Sequence, residues 1–225
     1  MDIWPQPNLK DHKIVKSWNL TTPPAQEPVS LSNVKTFIRL DSSSEDAILN
    51  AFISAARKHA EQYTQRAFIT QTWDAWLDDF PVNADSQFWD GVRQGAKHHV
   101  FSKNYFVEIP IGLVQSVVHI KTYGEDDTES TFDSSKYRVD DSALPGRIML
   151  KEGEVWPTDL RNLNAINIQW KAGYGDDPGD VPDDIIQAIY ITVGYLYEHR
   201  GECEPGSELP PAAKMLLDSY RVIRL

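Results

Sequence analysis

Residues 46–77 read DAILNAFISAARKHAEQYTQRAFITQTWDAWL, and the spacing of apolar residues along this stretch decides the fold. Up to about Arg66 the apolar residues recur every three or four positions, which predicts an amphipathic helix. From Ile69 they alternate with polar residues, which predicts a strand. The chain is therefore expected to be α+β. The predicted apolar stripe of the helix consists of Ile48, Phe52, Ala55, Ala56, Ala60 and Tyr63.

Helices are predicted on both sides of a β region. Ser30 is the expected N-cap of a short helix over about 31–39, and Ser44 of the helix that ends near Arg66. A third helix is predicted to begin at Pro182 with Asp180 as its candidate N-cap, and a last one to cover about 210–220.

The β region is predicted over about 68–171, as short strands in an antiparallel sheet. It contains an irregular loop, residues 81–104. Together these elements predict a helical bundle of two N-terminal and two C-terminal helices, carrying an inserted antiparallel β region, within one domain of residues 30–225. After the strand at 69–77, the predicted strands are 105–109, 115–122, 136–139, 147–150 and 166–171.

Residues 1–29 are predicted to form an extended, proline-rich arm, because five prolines exclude a regular helix. The segment "TTPPAQEP" favours polyproline-like geometry. Trp4 and Trp18 are candidate anchors for the arm, on a neighbouring subunit or on its own domain.

The formal net charge is −11, and the second half of the chain is the acidic half. Residues 1–112 carry 13 acids against 11 bases, and residues 113–225 carry 20 against 11. Tight nucleic-acid binding depends largely on Lys and Arg, so this balance argues against a DNA-gripping protein. An acidic chain could still surround DNA without holding it, because like charges repel.

Targeting and redox features are few. The single cysteine, Cys203, allows no disulfide within the chain and excludes cysteine-based zinc sites. The longest apolar runs fall short of the ~20 residues that cross a bilayer, so no membrane role is expected. The N-terminal residues lack the apolar core of a signal peptide, which predicts synthesis in the cytoplasm.

The tetrapeptide Tyr-Gly-Asp-Asp, residues 174–177, resembles the metal-binding turn of RNA-dependent RNA polymerases. Two-metal chemistry needs several carboxylates converging from different segments, and the chain is too short for a polymerase body. The alternative is a turn, in which Gly173 and Gly175 permit positive φ and Asp176 and Asp177 belong to a connection into the third helix.

Other chemical motifs are weak. His98 and His99 are adjacent and project differently, so they form a poor metal pair. Acids surround Cys203 and would raise its thiol pKa rather than activate it. Without a Ser-His-Asp motif, phosphate loop or dinucleotide fingerprint, we expect no catalytic residue, metal or cofactor.

The 81–104 loop carries basic and aromatic residues in an otherwise acidic chain. One interpretation is a solvated hairpin tip. The other is a contact loop for another protein, since Trp and Arg are enriched at interface hot spots. The candidate contact residues are Phe88, Trp89, Arg93 and Lys97.

An ordered set of segments resembles the head–tail connector proteins of long-tailed bacteriophages, also called adaptor or head-completion proteins. The set begins with "TPPAQEPVSLSNVKTFIRLDSSSEDAILNAFISAARKHAEQYTQRAFITQTW", continues with "VEIPIGLVQSVVHIKTYGEDD" and "YRVDDSALPGRIML", and closes with "INIQWKAGYG", "VPDDIIQAIYITVGYLYEHR" and "LLDSYRV". The resemblance covers about 22–80 and 105–222.

The resemblance implies a structural subunit in the neck of a virion or phage-like particle, assembled in the host cytoplasm. Copies would form a ring, usually twelvefold, beneath the portal protein. Double-stranded DNA would pass through without sequence-specific binding. The far side would receive the tail, a stopper or a tail-terminator protein.

The resemblance also implies that the C-terminal end docks on the portal. In "SYRVIRL" three apolar residues alternate with Arg221 and Arg224, and such a tail can lie in a groove or extend a sheet. The alternative is that the tail folds back on its own bundle. The candidate docking residues are Arg221, Val222, Ile223, Arg224 and Leu225.

Two other functions remain open from the residues alone. One is a soluble α+β protein-binding module without a role in a virion. The other, more remote, is metal-dependent nucleotidyl transfer at Asp176 and Asp177.

Overall fold

The computed structural model describes residues 16–81, 106–200 and 209–222. Its helices are α1 (Leu31–Ile38), α2 (Asp46–Thr64), α3 (Asp183–Glu198) and α4 (Pro211–Leu217). Its strands are β1 (Lys16–Thr22), β2 (Gln71–Leu77), β3 (Phe106–Ile109), β4 (Val114–Tyr123), β5 (Glu129–Thr131), β6 (Tyr137–Asp140), β7 (Gly146–Leu150) and β8 (Ile166–Ala172). Short 3₁₀ turns cover Ser134–Lys136, Pro178–Asp180 and Asp218–Tyr220.

The mixed α+β class is confirmed: helices precede and follow a β region in which the paired strands are antiparallel. No helix among the described residues is long and apolar enough to cross a membrane.

The β region contains two sheets, where one was predicted. The larger has the order β1-β2-β8-β4-β5 and the smaller the order β3-β7-β6. Strand β1 was not predicted, because its residues fall in the proline-rich arm. Among the strands that the structure describes, it lies at the edge of the larger sheet and pairs with β2 alone, from Lys16 opposite Leu77 to Thr22 opposite Thr72. An edge strand of this kind has little buried surface, so its sequence lacks strong alternation.

The first core, which we call the helical cluster, packs residues from before the β region against residues from after it. Its buried members run from Val29 to Leu217. Helix α2 contributes a stripe that starts at Leu49 and Ile53, whereas Ile48 is 44% exposed. The predicted stripe was thus rotated by about one residue toward Ile48. The buried residues of α2 are Leu49, Ile53, Ala56, Arg57, Ala60 and Thr64.

The second core, the sheet cluster, lies within the β region and includes Trp170, which is fully buried. Phe80 stacks on Trp156 with ring centroids 4.1 Å apart, and Phe132 lies beside Trp156 at 5.2 Å. Stacked aromatic pairs add to the burial of their apolar area. This packing encloses the end of the segment that follows β2.

Two of the three predicted helix caps were wrong. Ser30 caps α1 as expected, with its hydroxyl accepting a hydrogen bond from the Asn33 N–H at 3.2 Å. At α2 the N-cap is Glu45 rather than Ser44, which turns back toward Ser42. Asp180 accepts the backbone N–H of Asp177 and so belongs to the turn before α3.

Candidate assembly surfaces

The segment from Gln65 to Thr70 joins the helical cluster to the sheet cluster. Its backbone is bonded on two sides: the Gly112 N–H donates to the Gln65 carbonyl at 3.0 Å, and the Thr70 N–H donates to the Gly175 carbonyl at 2.9 Å. The Tyr174 N–H adds a bond to the Phe68 carbonyl at 3.0 Å. The chain therefore leaves and re-enters the helical cluster at one hydrogen-bonded junction.

Gly173 is the glycine that this junction requires. Its φ is +149°, and a Cβ at this position would lie 2.6 Å from the Thr70 nitrogen. Gly175 was also expected to have positive φ, which was wrong. It is small for another reason, because a Cβ there would lie 2.0 Å from the Asp180 Oδ2.

Asp176 and Asp177 are exposed in the turn that follows the junction. The Gln26 side chain reaches the turn and donates to the Asp176 carbonyl at 2.7 Å. Within residues 16–81, 106–200 and 209–222, no group of three or more His, Cys, Asp or Glu side chains could hold a metal ion. What the geometry provides is a turn tied to the chain just before α1.

A buried ion-pair network lies beside the junction and was not predicted. The Arg57 side chain is 4% exposed; its Nε donates to Glu27 and its Nη1 to Glu61, both at 2.7 Å. The other Glu61 oxygen accepts the Phe68 N–H at 3.0 Å and the Gln71 side chain at 2.5 Å. One network thus ties the segment before α1, helix α2 and the start of β2.

The electrostatics of this network follow from its burial. Burial lowers the pKa of Arg57, but the hydrogen bond to Glu27 and the charges of Glu61 and Glu27 outweigh it, so its pKa lies above the ordinary value. Burial raises the pKa of Glu61, against the charge of Arg57 and the N–H of Phe68. The i, i+4 spacing of Arg57 and Glu61 was the one sequence signal for this network.

The C-terminal end of the described chain lies against α2. The guanidinium of Arg221 lies over the Tyr63 ring, 5.3 Å from its centroid, and the Val222 N–H donates to the Thr64 carbonyl at 3.1 Å. Of the predicted docking residues, these two are therefore placed on the bundle. Ile223, Arg224 and Leu225 lie outside the described residues.

The other candidate contact residues are mostly outside the described residues. Trp18 lies in β1 opposite Ala75 and is 43% exposed, so it sits on its own domain with a free face. The candidates outside the described ranges are Trp4, Phe88, Trp89, Arg93 and Lys97.

Exposed apolar side chains on the helices form a further set that periodicity did not reveal. Met215 is 71% exposed on α4, and Tyr195 is 42% exposed on α3. Phe37 is 44% exposed on α1, where its ring stacks on Tyr190 at 5.4 Å. These side chains give the helical layer apolar surface of the kind that proteins use for contacts.

The fold and these surfaces define an α+β module with exposed apolar side chains suited to protein contacts. Residues 28–143 match the family model described as "Phage gp6-like head-tail connector protein". This match spans more than half of the chain, and the protein belongs to that family. The predicted resemblance to head–tail connectors is confirmed, and with it a structural connector role.

Solved structures share this fold across nearly the whole chain. One, the neck of an empty GTA particle computed with C6 symmetry, is 19% identical with a TM-score of 0.70 and covers 93% of this chain and 97% of its own. The virion of a native gene transfer agent particle gives 18% identity and 0.70, covering 92% and 96%. The neck of a native GTA particle computed with C12 symmetry gives 18% and 0.65, covering 93% and 97%. No curated protein matches the chain.

Proposed function

We propose that copies of this connector form a ring beneath a portal protein, in the neck of a phage or phage-like particle. The observation that carries the proposal is family membership together with a fold shared, over more than nine-tenths of the chain, with a component of a neck computed with C12 symmetry. Twelve copies are proposed on the same ground. Assembly takes place in the host cytoplasm.

The ring surrounds the path of double-stranded DNA without gripping it. The net charge of −11 supports this role, because an acidic channel repels the phosphate backbone and offers no sequence-specific hold. The far side of the ring receives the tail, a stopper or a tail-terminator protein. Phe88, Trp89, Arg93 and Lys97 are proposed as contact residues for the tail side or a neighbouring copy.

Electron microscopy of the purified protein with and without a portal tests the ring. The high negative charge makes identical copies repel, so rings are expected on the portal and not in its absence. Symmetric rings on the portal face would support the proposal. A protein that stays monomeric with the portal would contradict it.

The C-terminal residues are proposed to dock on the portal, with Arg221 and Arg224 pairing with carboxylates. Because Arg221 and Val222 contact α2, the useful comparison is between two truncations. A chain ending at Val222 keeps those contacts and loses only Ile223, Arg224 and Leu225. A chain ending at Tyr220 loses both sets.

The expected result is that the chain ending at Val222 melts like the parent yet fails to join portal-bearing heads. A lower melting temperature for the chain ending at Tyr220 alone would separate the role of Arg221 and Val222 in folding from docking. Normal joining by both truncations would place the docking surface elsewhere.

The connector is proposed to have no catalytic activity. The Asp176→Asn, Asp177→Asn double variant tests this, since turn aspartates can often be replaced by asparagine. We expect an unchanged fold and normal assembly. A metal-dependent polymerase activity lost in the variant, or a calcium-dependent shift of the parent's melting, would overturn the proposal.

A further inference from the structure

Strand β1 is attached to its own copy by little more than its backbone. Of residues 17–22, Leu20 is half-buried and the others are exposed. Trp18 is 43% exposed although it is one of the largest apolar side chains of the described chain. No described residue of β1 belongs to the helical cluster or the sheet cluster. The strand is therefore held mainly by its ladder with β2, and both of its faces are open.

The connection from β1 to α1 changes from exposed to buried within a few residues. Pro23 and Ala25 are exposed, whereas Pro28 and Val29 are buried. Two adjacent prolines, Pro23 and Pro24, follow the strand directly; each fixes φ and lacks an N–H, so the ladder ends here and the chain stays extended. Residues 23–25 thus connect an exposed strand to an anchored segment.

The anchored segment begins at Gln26. The Gln26 side chain donates to the Asp176 carbonyl at 2.7 Å, and Glu27 accepts from the Nε of Arg57 at 2.7 Å. These contacts lie on the far side of the prolines from β1. The strand can therefore leave β2 without disturbing the contacts that hold the chain before α1.

A ring makes a specific demand on identical copies. In a closed ring each copy turns two different surfaces toward its two neighbours. Each copy here carries a net charge of −11, so the copies also repel one another. Exchange of an identical element meets this demand with contacts that one copy already makes, because the element is one surface and its binding place is the other. In this chain β1 and the edge of β2 form such a pair.

We propose that in the ring β1 of each copy pairs with β2 of the next copy, in the register seen here; this inference rests on the proposed ring. In the free protein β1 pairs with its own β2. The portal holds copies side by side, which raises the effective concentration of each β1 at its neighbour's β2. The exchanged strand lies between two copies, where Trp18 is covered, and burial of this apolar side chain favours the exchange.

The proposal constrains how closely the copies pack. The chain from Thr22 to Gln26 covers four residues and spans at most ~14 Å. The edge of β2 in one copy must therefore lie within that distance of the anchored segment of its neighbour. Exchange is thus possible only between adjacent, closely packed copies.

A disulfide pair reports which copy's β2 each β1 occupies. In a Cys203→Ser background, Asn19→Cys and Asp74→Cys place two cysteines directly opposite each other in the register of β1 and β2. Opposite residues of an antiparallel pair have Cβ atoms ~4.5–5.5 Å apart, close to disulfide geometry. Oxidised without the portal, this double variant should link within one chain and run as a monomer. Assembled on the portal before oxidation, it should give a ladder of covalent multimers on a non-reducing gel.

Each other outcome has its own meaning. The two single variants are the controls, and each alone should give no multimers on the portal. Monomer bands from oxidised rings overturn the proposal, because each β1 then lies on its own β2. Rings without any disulfide overturn it too, because β1 then lies on neither strand. Both results leave the proposed function intact, whereas absence of rings on the portal contradicts that function itself. If the double variant does not fold, Thr22→Cys with Thr72→Cys, opposite at the other end of the strand, gives the same readout.

Locking the strand in place tests whether exchange is required for assembly. The double variant of Asn19 and Asp74, oxidised before it meets the portal, carries β1 fixed to its own β2. It should form about tenfold fewer rings than the same chains kept reduced, and a reductant should restore them. The Cys203→Ser parent treated with the same oxidant is the matched control and should assemble normally. Equal ring formation by locked and reduced chains would overturn the proposal.

Discussion

The helical cluster and the sheet cluster differ in how the chain builds them. The helical cluster collects residues from both sides of the β region, from Val29 to Leu217, so it closes only when distant segments meet. The sheet cluster is assembled from a single continuous region, Ala67 to Ala172. Ala67 belongs to one cluster and Phe68 to the other. The difference teaches that the β region can act as a body carried by the helices, joined to them at the Gln65–Thr70 junction and through the chain that leads from β1 to α1.

The two clusters also differ in how deeply their ion pairs are buried. Around the helices, Arg57 is buried with two carboxylates, Glu27 and Glu61. In the β region the pairs are exposed, as for Lys121 with Glu129. Exposed pairs contribute little to stability, whereas breaking a buried one is costly. Breaking the Arg57 network should therefore destabilise the helical cluster more than breaking an exposed pair destabilises the sheets.

The first prediction tests whether the two clusters unfold together, by weakening each cluster in turn. Trp170→Ala in the sheet cluster should cost about 3–5 kcal/mol of unfolding free energy, and Ile189→Ala in the helical cluster about 2–5 kcal/mol, because both side chains are fully buried. If the junction couples the clusters, each variant shifts one common transition in denaturant. Val155→Ala, at a side chain 76% exposed, is the control and should change stability by less than ~0.5 kcal/mol.

Two separate transitions would contradict the coupling. In that case Trp170→Ala would move only the transition reported by near-ultraviolet signals of the sheet tryptophans. Ile189→Ala would move only the helical signal. The two clusters would then be independent folding units despite their shared segment.

The second prediction concerns the buried network at the junction. Arg57→Ala leaves Glu61 buried with an uncompensated charge and should cost about 3–5 kcal/mol, measured by chemical denaturation. Lys58→Ala, the next residue on the same helix, is exposed and serves as the control. A loss below ~1 kcal/mol for Arg57→Ala would mean that water replaces the guanidinium, and that the junction rests on its backbone bonds alone.

The third prediction compares a glycine that the junction requires, Gly173, with one that has open space around it, Gly179. Gly173→Ala should cost more than ~1 kcal/mol, because its φ is +149° and a Cβ would press on the Thr70 backbone. In the turn that follows, Gly179 has open space around it, and Gly179→Ala should change stability by less than ~0.5 kcal/mol. Equal melting temperatures for the two variants would show that the junction can shift to admit a methyl group.

The sequence predicted most of the fold because apolar periodicity reports local burial. The helix over α2 and the strands from β2 to β8 were predicted to within a few residues, apart from β5, whose three residues are all exposed. Strand β1 was missed because an edge strand buries little. The division into two sheets depends on long-range pairing, as between β4 and β8, which no local pattern encodes.

The candidate surfaces were harder to predict than the elements. Arg57 and Glu27 are 30 positions apart, so their pairing could not be inferred from spacing. Trp18 lies beside Ala75 only because β1 pairs with β2, and β1 itself was not predicted. By contrast, the resemblance to connectors could be recognised because its segments follow one another in a fixed order along the chain, and the family match covers residues 28–143 of it.

The smallest expected effect concerns Glu45, which links the start of α2 to the end of α3. One carboxylate oxygen accepts the Tyr197 hydroxyl and the other accepts Arg200, both at 2.6 Å. The hydrogen bond from Tyr197, followed by that from Arg200, lowers the pKa of Glu45. A carboxyl whose pKa is lowered in the folded state contributes stability above its unfolded pKa of ~4.3, and that contribution is lost as the pH falls through the folded value.

Glu45→Gln should therefore melt below the parent at pH 7 and converge with it near pH 3. Glu152→Gln, at an exposed carboxylate after β7, should track the parent at both pH values. A gap between Glu45→Gln and the parent that persists at low pH would mean that the contact stabilises through packing of Tyr197 rather than through charge.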